Sequence, residues 1–128
     1  MGIFSNDVGR LGEKIAVKYL KKQGFRILAT NQHQSHNEID IIAVNREYVL
    51  FVEVKARSVE DDLYSSYGSP ASAVTKGKQR RTVLAAEQYL RQHFVSDKQP
   101  RMDVIEVYLK KGTKNVLNIH HIPNAYGK

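Results

Sequence analysis

Two dense runs of β-forming residues stand three positions apart in the middle of this chain. Residues 38–44 are rich in isoleucine and residues 48–57 are rich in valine. So short a connection predicts an antiparallel hairpin, although Asn45-Arg46-Glu47 is not the Asn-Gly signal of the tightest turns. Side chains alternate faces along a strand, so Glu38, Asp40 and Ile42 share one face of the first strand. Phe51, Glu53, Lys55 and Arg57 share one face of the second.

Around the hairpin the pattern alternates between helix and strand. Val8, Leu11, Ile15, Tyr19 and Leu20 recur at helical spacing and predict a helix over residues 7–23, with Asn6 or Asp7 as its start and Gly24 as its end. A short strand follows at 25–30 and a polar loop at 31–37. Residues 58–72 have no regular period. They carry Glu60, Asp61 and Asp62, then Tyr64, Tyr67, Gly68 and Pro70, and predict a long loop. Thr75 is placed to cap a second helix running to about residue 93. Strands are expected at 101–109 and 116–122, around a turn at 110–114, and residues 123–128 read as a loose tail. The order is α-β-β-β-α-β-β, an α/β chain of 128 residues forming one domain, with its core over about 8–122.

Composition narrows the function. There is no cysteine, which excludes a disulfide framework, a thiol nucleophile and cysteine-ligated zinc or iron–sulfur sites. No apolar run approaches the ~20 residues needed to span a bilayer. The start, Met1-Gly2-Ile3-Phe4-Ser5-Asn6, is not a secretory signal, and Asn6 replaces the Ser or Thr of a myristoylation signal. The expectation is a soluble cytoplasmic protein with no membrane partner. A formal net charge of +7 points to an anionic partner, with nucleic acid as the first candidate.

The hairpin carries the chemistry. If Arg46 and Glu47 form the turn, Asn45 pairs with Tyr48, Asp40 lies opposite Glu53, and Glu38 lies opposite Lys55. Paired side-chain stems are ~5 Å apart, so three carboxylates and an ammonium would share one patch. A one-residue slip would destroy it. Two carboxylates repel each other, and a hard cation such as Mg²⁺ relieves this while keeping several waters. Asp40 and Glu53 are therefore candidate metal ligands, with the Val54 carbonyl as a further one. Lys55 is placed to hold an attacking water or to neutralise charge on a phosphate. The bland alternative is an ordinary half-exposed strand, which alternates in the same way.

A second cluster, Lys76-Gly77-Lys78-Gln79-Arg80-Arg81, puts four cations and no acid at a helix start. Cations there oppose the helix dipole by a few tenths to about 1 kcal/mol each, a cost that bound phosphate would offset. Lys76, Lys78, Arg80 and Arg81, with Arg57 at the end of the hairpin row, are candidate nucleic-acid contacts. The alternative is a solvated face balanced by the acids at 60–62. Lys14, Lys18, Lys21 and Lys22 would extend the patch. Tyr64 and Tyr67 are candidates to stack on bases, or else to pin the loop. His33, His36, His120 and His121 lack zinc-site spacing. No Walker loop, dinucleotide fingerprint or serine elbow is present.

Asn37-Glu38-Ile39-Asp40 followed by Phe51-Val52-Glu53-Val54-Lys55-Ala56-Arg57 resembles the PD-(D/E)xK nuclease signature. Within that superfamily the chain resembles the YraN-like group of small bacterial proteins. The likeness runs through Gly9-Arg10-Leu11-Gly12-Glu13, Asn31, Gly68-Ser69-Pro70, Val74-Thr75, Lys78-Gln79-Arg80-Arg81, Tyr89-Leu90 and Arg101-Met102-Asp103-Val104, over roughly residues 8–108. It implies a restriction-endonuclease-like core, a mixed five-stranded sheet flanked by two helices, similar to Holliday-junction resolvases. By that likeness Asp40, Glu53 and Glu13 hold Mg²⁺ or Mn²⁺, and Lys55 assists the water. The expected activity is endonuclease cleavage of structured or branched nucleic acid, with DNA expected, in repair or recombination. Resolving a junction takes two cuts, so a homodimer is also implied. A nucleic-acid-binding module without turnover is the alternative. Two positions depart from the pattern. Asn37 replaces a glycine, in a turn where a left-handed backbone is expected, and Lys76 replaces a proline.

Overall fold

The computed structural model describes residues 5–35, 37–60, 74–95 and 97–127. Helix α1 (Ser5–Lys22) is followed by β1 (Arg26–His33), β2 (Glu38–Val44) and β3 (Tyr48–Val59). Helix α2 (Lys76–Gln92), β4 (Gln99–Lys110) and β5 (Val116–Tyr126) complete the order. The strands form one sheet in the order β1-β2-β3-β4-β5. Only β3 and β4 run parallel; the other neighbours are antiparallel. A parallel pair needs a crossover, and α2 lies in that connection.

The helices cover opposite faces, as the alternation of strand residues shows. Ile41, Ala43, Leu50, Val52, Ile105 and Val107 pack with Val8, Ala16 and Leu20 of α1. Ile42, Val44, Val49, Phe51 and Met102 pack with Ala85, Ala86 and Tyr89 of α2. Neighbouring residues on β2 and β3 therefore feed two separate cores.

Helix α1 ends as its sequence predicts. Gly24 takes φ +95°, Phe25 N–H donates to Leu20 O at 3.0 Å, and Gly24 N–H donates to Lys21 O at 3.1 Å. This is the Schellman pattern, which favours glycine at the left-handed position. Closer to the middle, Gly12 lets the helix lie directly on β3: a Cβ there would stand 2.5 Å from Ala56 Cβ. Helix α2 starts at Thr75, whose hydroxyl accepts from Lys78 N–H at 3.1 Å, and ends at His93.

Boundaries of four strands differ from expectation. Strand β1 runs on to His33, with Asn31 at φ +50°, inside what reads as a polar loop. β3 and β4 each extend two residues further at one end, because they pair in register from Tyr48–Gln99 to Val59–Lys110. The supposed tail is part of β5, which continues to Tyr126 opposite Met102. The period is unreadable there because the ladder shifts register between Met102 and Val104. Pro123 and Asn124 (φ +53°) occupy that irregularity, and a proline is tolerated on an edge strand. Among the described residues, no helix is long and apolar enough to cross a membrane.

Candidate active site

Strands β2 and β3 part company at Asp40. Their ladder runs from Val44–Val49 to Ile41–Val52 and stops one rung short of Asp40 and Glu53. Beyond that rung β2 stays with β1, through Ile39–Gln32 and Glu38–His33, while β3 stays with β4. The sheet forks. In the gap, Asp40 Oδ2 accepts the Val54 N–H at 2.8 Å, replacing a main-chain acceptor. The alternation of β2 breaks at the same place: Ile39 joins Ile42 and Val44 on the α2 side, whereas Ile41 faces α1.

Glu53, Lys55 and Arg57 follow Phe51 along the α2 face of β3. Glu53 is 8% exposed, and Lys55 Nζ lies 2.9 Å from its Oε2. Asp40 feels charge from both sides of the sheet. Its pKa is pushed up to about 6, first by burial, then by the carboxylates of Glu13 and Glu53; the Val54 N–H and the Lys78 ammonium pull the other way. Glu13, on α1 one residue after the Gly12–Ala56 contact, is the α1 carboxylate whose charge acts on Asp40. It also lines a cleft of about 420 Å³ with Arg10, Lys14, Val17, Thr30 and Asn31.

Of the four cations at the start of α2, Lys78 turns inward. Its Nζ donates to Asn37 Oδ1 at 3.0 Å, and Asn37 Nδ2 donates to Thr82 Oγ1 at 2.9 Å. Asn37 therefore acts through its side chain: its φ is not among the positive values of the described residues, so it does not serve as a left-handed substitute for glycine. Lys76, Arg80 and Arg81 are exposed. Arg57 is held by Glu106.

Glu38 is not with Lys55. It pairs across β1 with His33 at 3.1 Å, because the fork carries β2 away from β3 before Glu38 is reached. Asp61, Asp62, Tyr64, Tyr67, Gly68, Pro70 and His36 lie outside the described residues.

Three groups near the site escape a reading of the sequence. Glu106, fully buried on β4 in register with Lys55, accepts from Arg57 Nε and Tyr108 Oη. A lone acid within Ile105-Glu106-Val107 was the available signal. Asp103 is a buried clamp on β4. It accepts from Arg101 Nε and Nη2, both at 2.9 Å, and from Asn124 N–H at 3.0 Å, and lies 2.7 Å from His121 Nε2. Burial alone would raise its pKa, but these bonds and the Arg101 charge outweigh it and the pKa is lowered. His121 Nδ1 is in turn 3.0 Å from Tyr19 Oη on α1. The third is Tyr126, whose buried hydroxyl has no partner at ordinary hydrogen-bond distance among the described residues. Burial is the main cause of a pKa pushed up to about 12; hydrogen bonding with the Thr82 hydroxyl acts the other way, and the charges of Glu53, Asp40 and Asp103 add to the rise.

The donor set suits a hard cation. Two carboxylates come close enough in a partly dry fork for one to raise the pKa of the other. Among the described residues no group of three His, Cys, Asp or Glu side chains comes together as a metal-holding set. Asp40 and Glu53 would thus supply two protein ligands, leaving other positions to solvent. Glu13 acts on Asp40 through its charge.

The model of the uncharacterised protein family UPF0102 matches residues 12–107. The chain is 44% identical over 121 residues to a UPF0102 protein of Parabacteroides distasonis, covering 94% of this chain and 93% of that protein. It is 40% identical over 119 residues to one from Caldanaerobacter subterraneus subsp. tengcongensis, with 93% of each covered. It is 38% identical over 129 residues to one from Chlorobium phaeobacteroides, with 98% of each covered.

Proposed function

The chain belongs to the uncharacterised protein family UPF0102, and from its own side chains we propose that it is a metal-dependent endonuclease of the PD-(D/E)xK type acting on structured or branched DNA. The observation that carries this reading is the fork, where Asp40 meets Glu53 and Glu53 holds Lys55 at 2.9 Å. Asp40 and Glu53 would hold Mg²⁺ or Mn²⁺, with the Val54 carbonyl as a further ligand and Glu13 adding negative charge. When bound, such an ion lowers the pKa of a water and neutralises charge on a phosphate oxygen. Lys55 is the cation of the chain itself at the reacting centre: as a water oxygen bonds to phosphorus and the ester P–O bond breaks, its ammonium offsets the added negative charge. Lys78, on α2, acts on Asp40 through its charge. Lys76, Arg80 and Arg81 offer exposed charge to phosphates on one flank, and Arg57 extends the β3 row on the other. A branched substrate and a place in repair or recombination follow from the likeness to junction resolvases, as does a homodimer that makes paired cuts.

A second reading is a DNA-binding module with no turnover. The lack of a preformed three-ligand set among the described residues favours it. One assay separates the two: purified protein with branched, single-stranded and duplex DNA, with and without Mg²⁺ or Mn²⁺. The nuclease reading expects cleavage that disappears in Asp40→Ala and Glu53→Ala. Cleavage that survives both substitutions removes these residues from the mechanism. Salt-sensitive binding without cleavage in either metal selects the module.

A further inference from the structure

The cleft between α1 and β1 lies on the α1 side of the sheet, away from α2, and it starts beside the fork. Thr30 pairs with Ile41 and Gln32 with Ile39, so Asn31 stands at the rung of Asp40. Asn31 takes φ +50°, which breaks the alternation of β1, and Thr30 and Asn31 both line the cleft although they are neighbours in one strand. Arg10 and Lys14 supply the helix wall, one turn apart on α1. Both are exposed, and among the described residues neither has an ion-pair partner. Like charges at this spacing repel each other, so the pair is unfavourable in the free chain. The same two cations line a second recess of about 360 Å³, which has Asp7 as its acid and reaches Lys114 between β4 and β5. Arg10 and Lys14 therefore stand between two recesses, one of which begins at the Asp40 rung.

We infer that this cleft is a phosphate-binding subsite that holds one strand of the nucleic acid beside the fork, with Arg10 and Lys14 as its cations. This rests on the nuclease reading above and gives its substrate a second contact surface. Nucleic-acid phosphates are bound by Arg and Lys with hydroxyl and amide side chains beside them, and Thr30 and Asn31 are of those types. Glu13 is the acid in this wall; the cations outnumber it, and in the reading above its charge serves the metal ion. A bound phosphate would also relieve the repulsion between Arg10 and Lys14. Because α1 and α2 cover opposite faces of the sheet, these cations meet the substrate from the side that Lys76, Arg80 and Arg81 do not. The substrate is then gripped on both faces of the sheet, with the fork between.

The test uses the full chain in EDTA, where cleavage does not enter, and measures binding of branched DNA by anisotropy at several salt concentrations. The double variant Arg10→Gln/Lys14→Gln should bind more weakly, and its slope of log affinity against log salt should be shallower by roughly 0.7–0.9 per substitution. Arg91→Gln removes an exposed cation from the last turn of α2, away from the cleft, and should leave the slope unchanged. The chain has no cysteine, so Thr30→Cys carries a photoreactive label at one defined position, and that label should cross-link to the bound DNA. Wild-type affinity and slope in the double variant overturn the subsite and leave DNA binding to the α2 cations. An equal loss per charge in Arg91→Gln also overturns it, because the effect would then be one of net charge alone. So does bound DNA that the Thr30 label fails to reach. If the wild-type chain binds no DNA even at low salt, the nucleic-acid reading fails and this inference fails with it.

Discussion

Asp40 Oδ2 accepts the Val54 N–H at 2.8 Å at the rung where the β2–β3 ladder ends. A side chain thus completes a strand pairing that the backbone abandons. The same carboxyl carries a raised pKa of about 6, so the fold protects this bond while disfavouring the charge that strengthens it.

The pH dependence follows from that pKa. A carboxyl with a raised folded pKa binds its proton more tightly in the native state, so stability falls as pH rises from about 4 to about 6 and is then level. The loss amounts to at most about 3 kcal/mol. Asp40→Asn, whose amide oxygen can still accept from Val54, should raise the melting temperature at pH about 8 and leave it unchanged near pH 4. Mg²⁺ should stabilise the wild type at the higher pH and not the variant. Thermal melts across pH check both.

Gly12→Ala tests how closely α1 lies on β3. Alanine normally gains up to about 1 kcal/mol over glycine inside a helix. Here its Cβ meets Ala56 Cβ at 2.5 Å, both on backbone-anchored atoms, so the helix must move. Overpacking of this kind costs about 1–3 kcal/mol, and the expected net effect is destabilisation. Urea melts of Gly12→Ala, Ala56→Gly and the double variant should show the coupling, with the double less destabilised than the sum.

Arg57 and Glu106 should respond unequally. Arg57→Ala leaves a fully buried carboxylate without its ion-pair partner, and should cost about 3–5 kcal/mol. Glu106→Gln keeps one acceptor oxygen, which can still take Arg57, while the Tyr108 hydroxyl can turn to accept from the new amide, and it should cost less. Equal losses in denaturant melts would mean that Glu106 is not held mainly by Arg57.

Asp103→Asn removes a charge that three neighbours favour. A lowered pKa means that the stabilisation is present above the ordinary carboxylate range and disappears as pH falls through the folded value. The variant should therefore lose stability at neutral pH, and the gap should close in strong acid. Acid titration of the melting temperature reads it.

On the binding side, Lys76→Ala, Arg80→Ala and Arg81→Ala remove exposed charges without touching the fork. If each cation meets a phosphate, the slope of log affinity against log salt should drop by roughly 0.9 per substitution on duplex DNA. Fluorescence anisotropy at several salt concentrations measures it.

Local signals in the sequence predicted local features well. The Asn45–Tyr48 pairing, the Thr75 cap and the Gly24 stop each depend on residues within a few positions of one another. The seven elements appeared in the expected order because periodicity is a local signal. The fork is not legible: nothing in Glu38-Ile39-Asp40 says that β2 leaves β3 there, so hairpin pairing sets Glu38 opposite Lys55, whereas the structure sets it beside His33. Glu106, the Asp103–His121 clamp and Tyr126 were missed for a related reason. Their partners come from distant strands, and a single acid or aromatic residue does not reveal which neighbour it will meet. Asn124 and Pro123 disguised the end of β5 as a tail.

The fork also sets an order of assembly. Asp40 and Val54 are 14 positions apart, whereas Arg57 and Glu106 are 49 apart and Tyr19 and His121 are 102 apart. Short loops close at lower entropic cost than long ones, so the hairpin can form before the parallel β3–β4 pairing and the arrival of β5. The two acids therefore meet while still hydrated, where their repulsion is weak. The electrostatic penalty arises only when the later strands dock, which makes that docking the step most responsive to acidity.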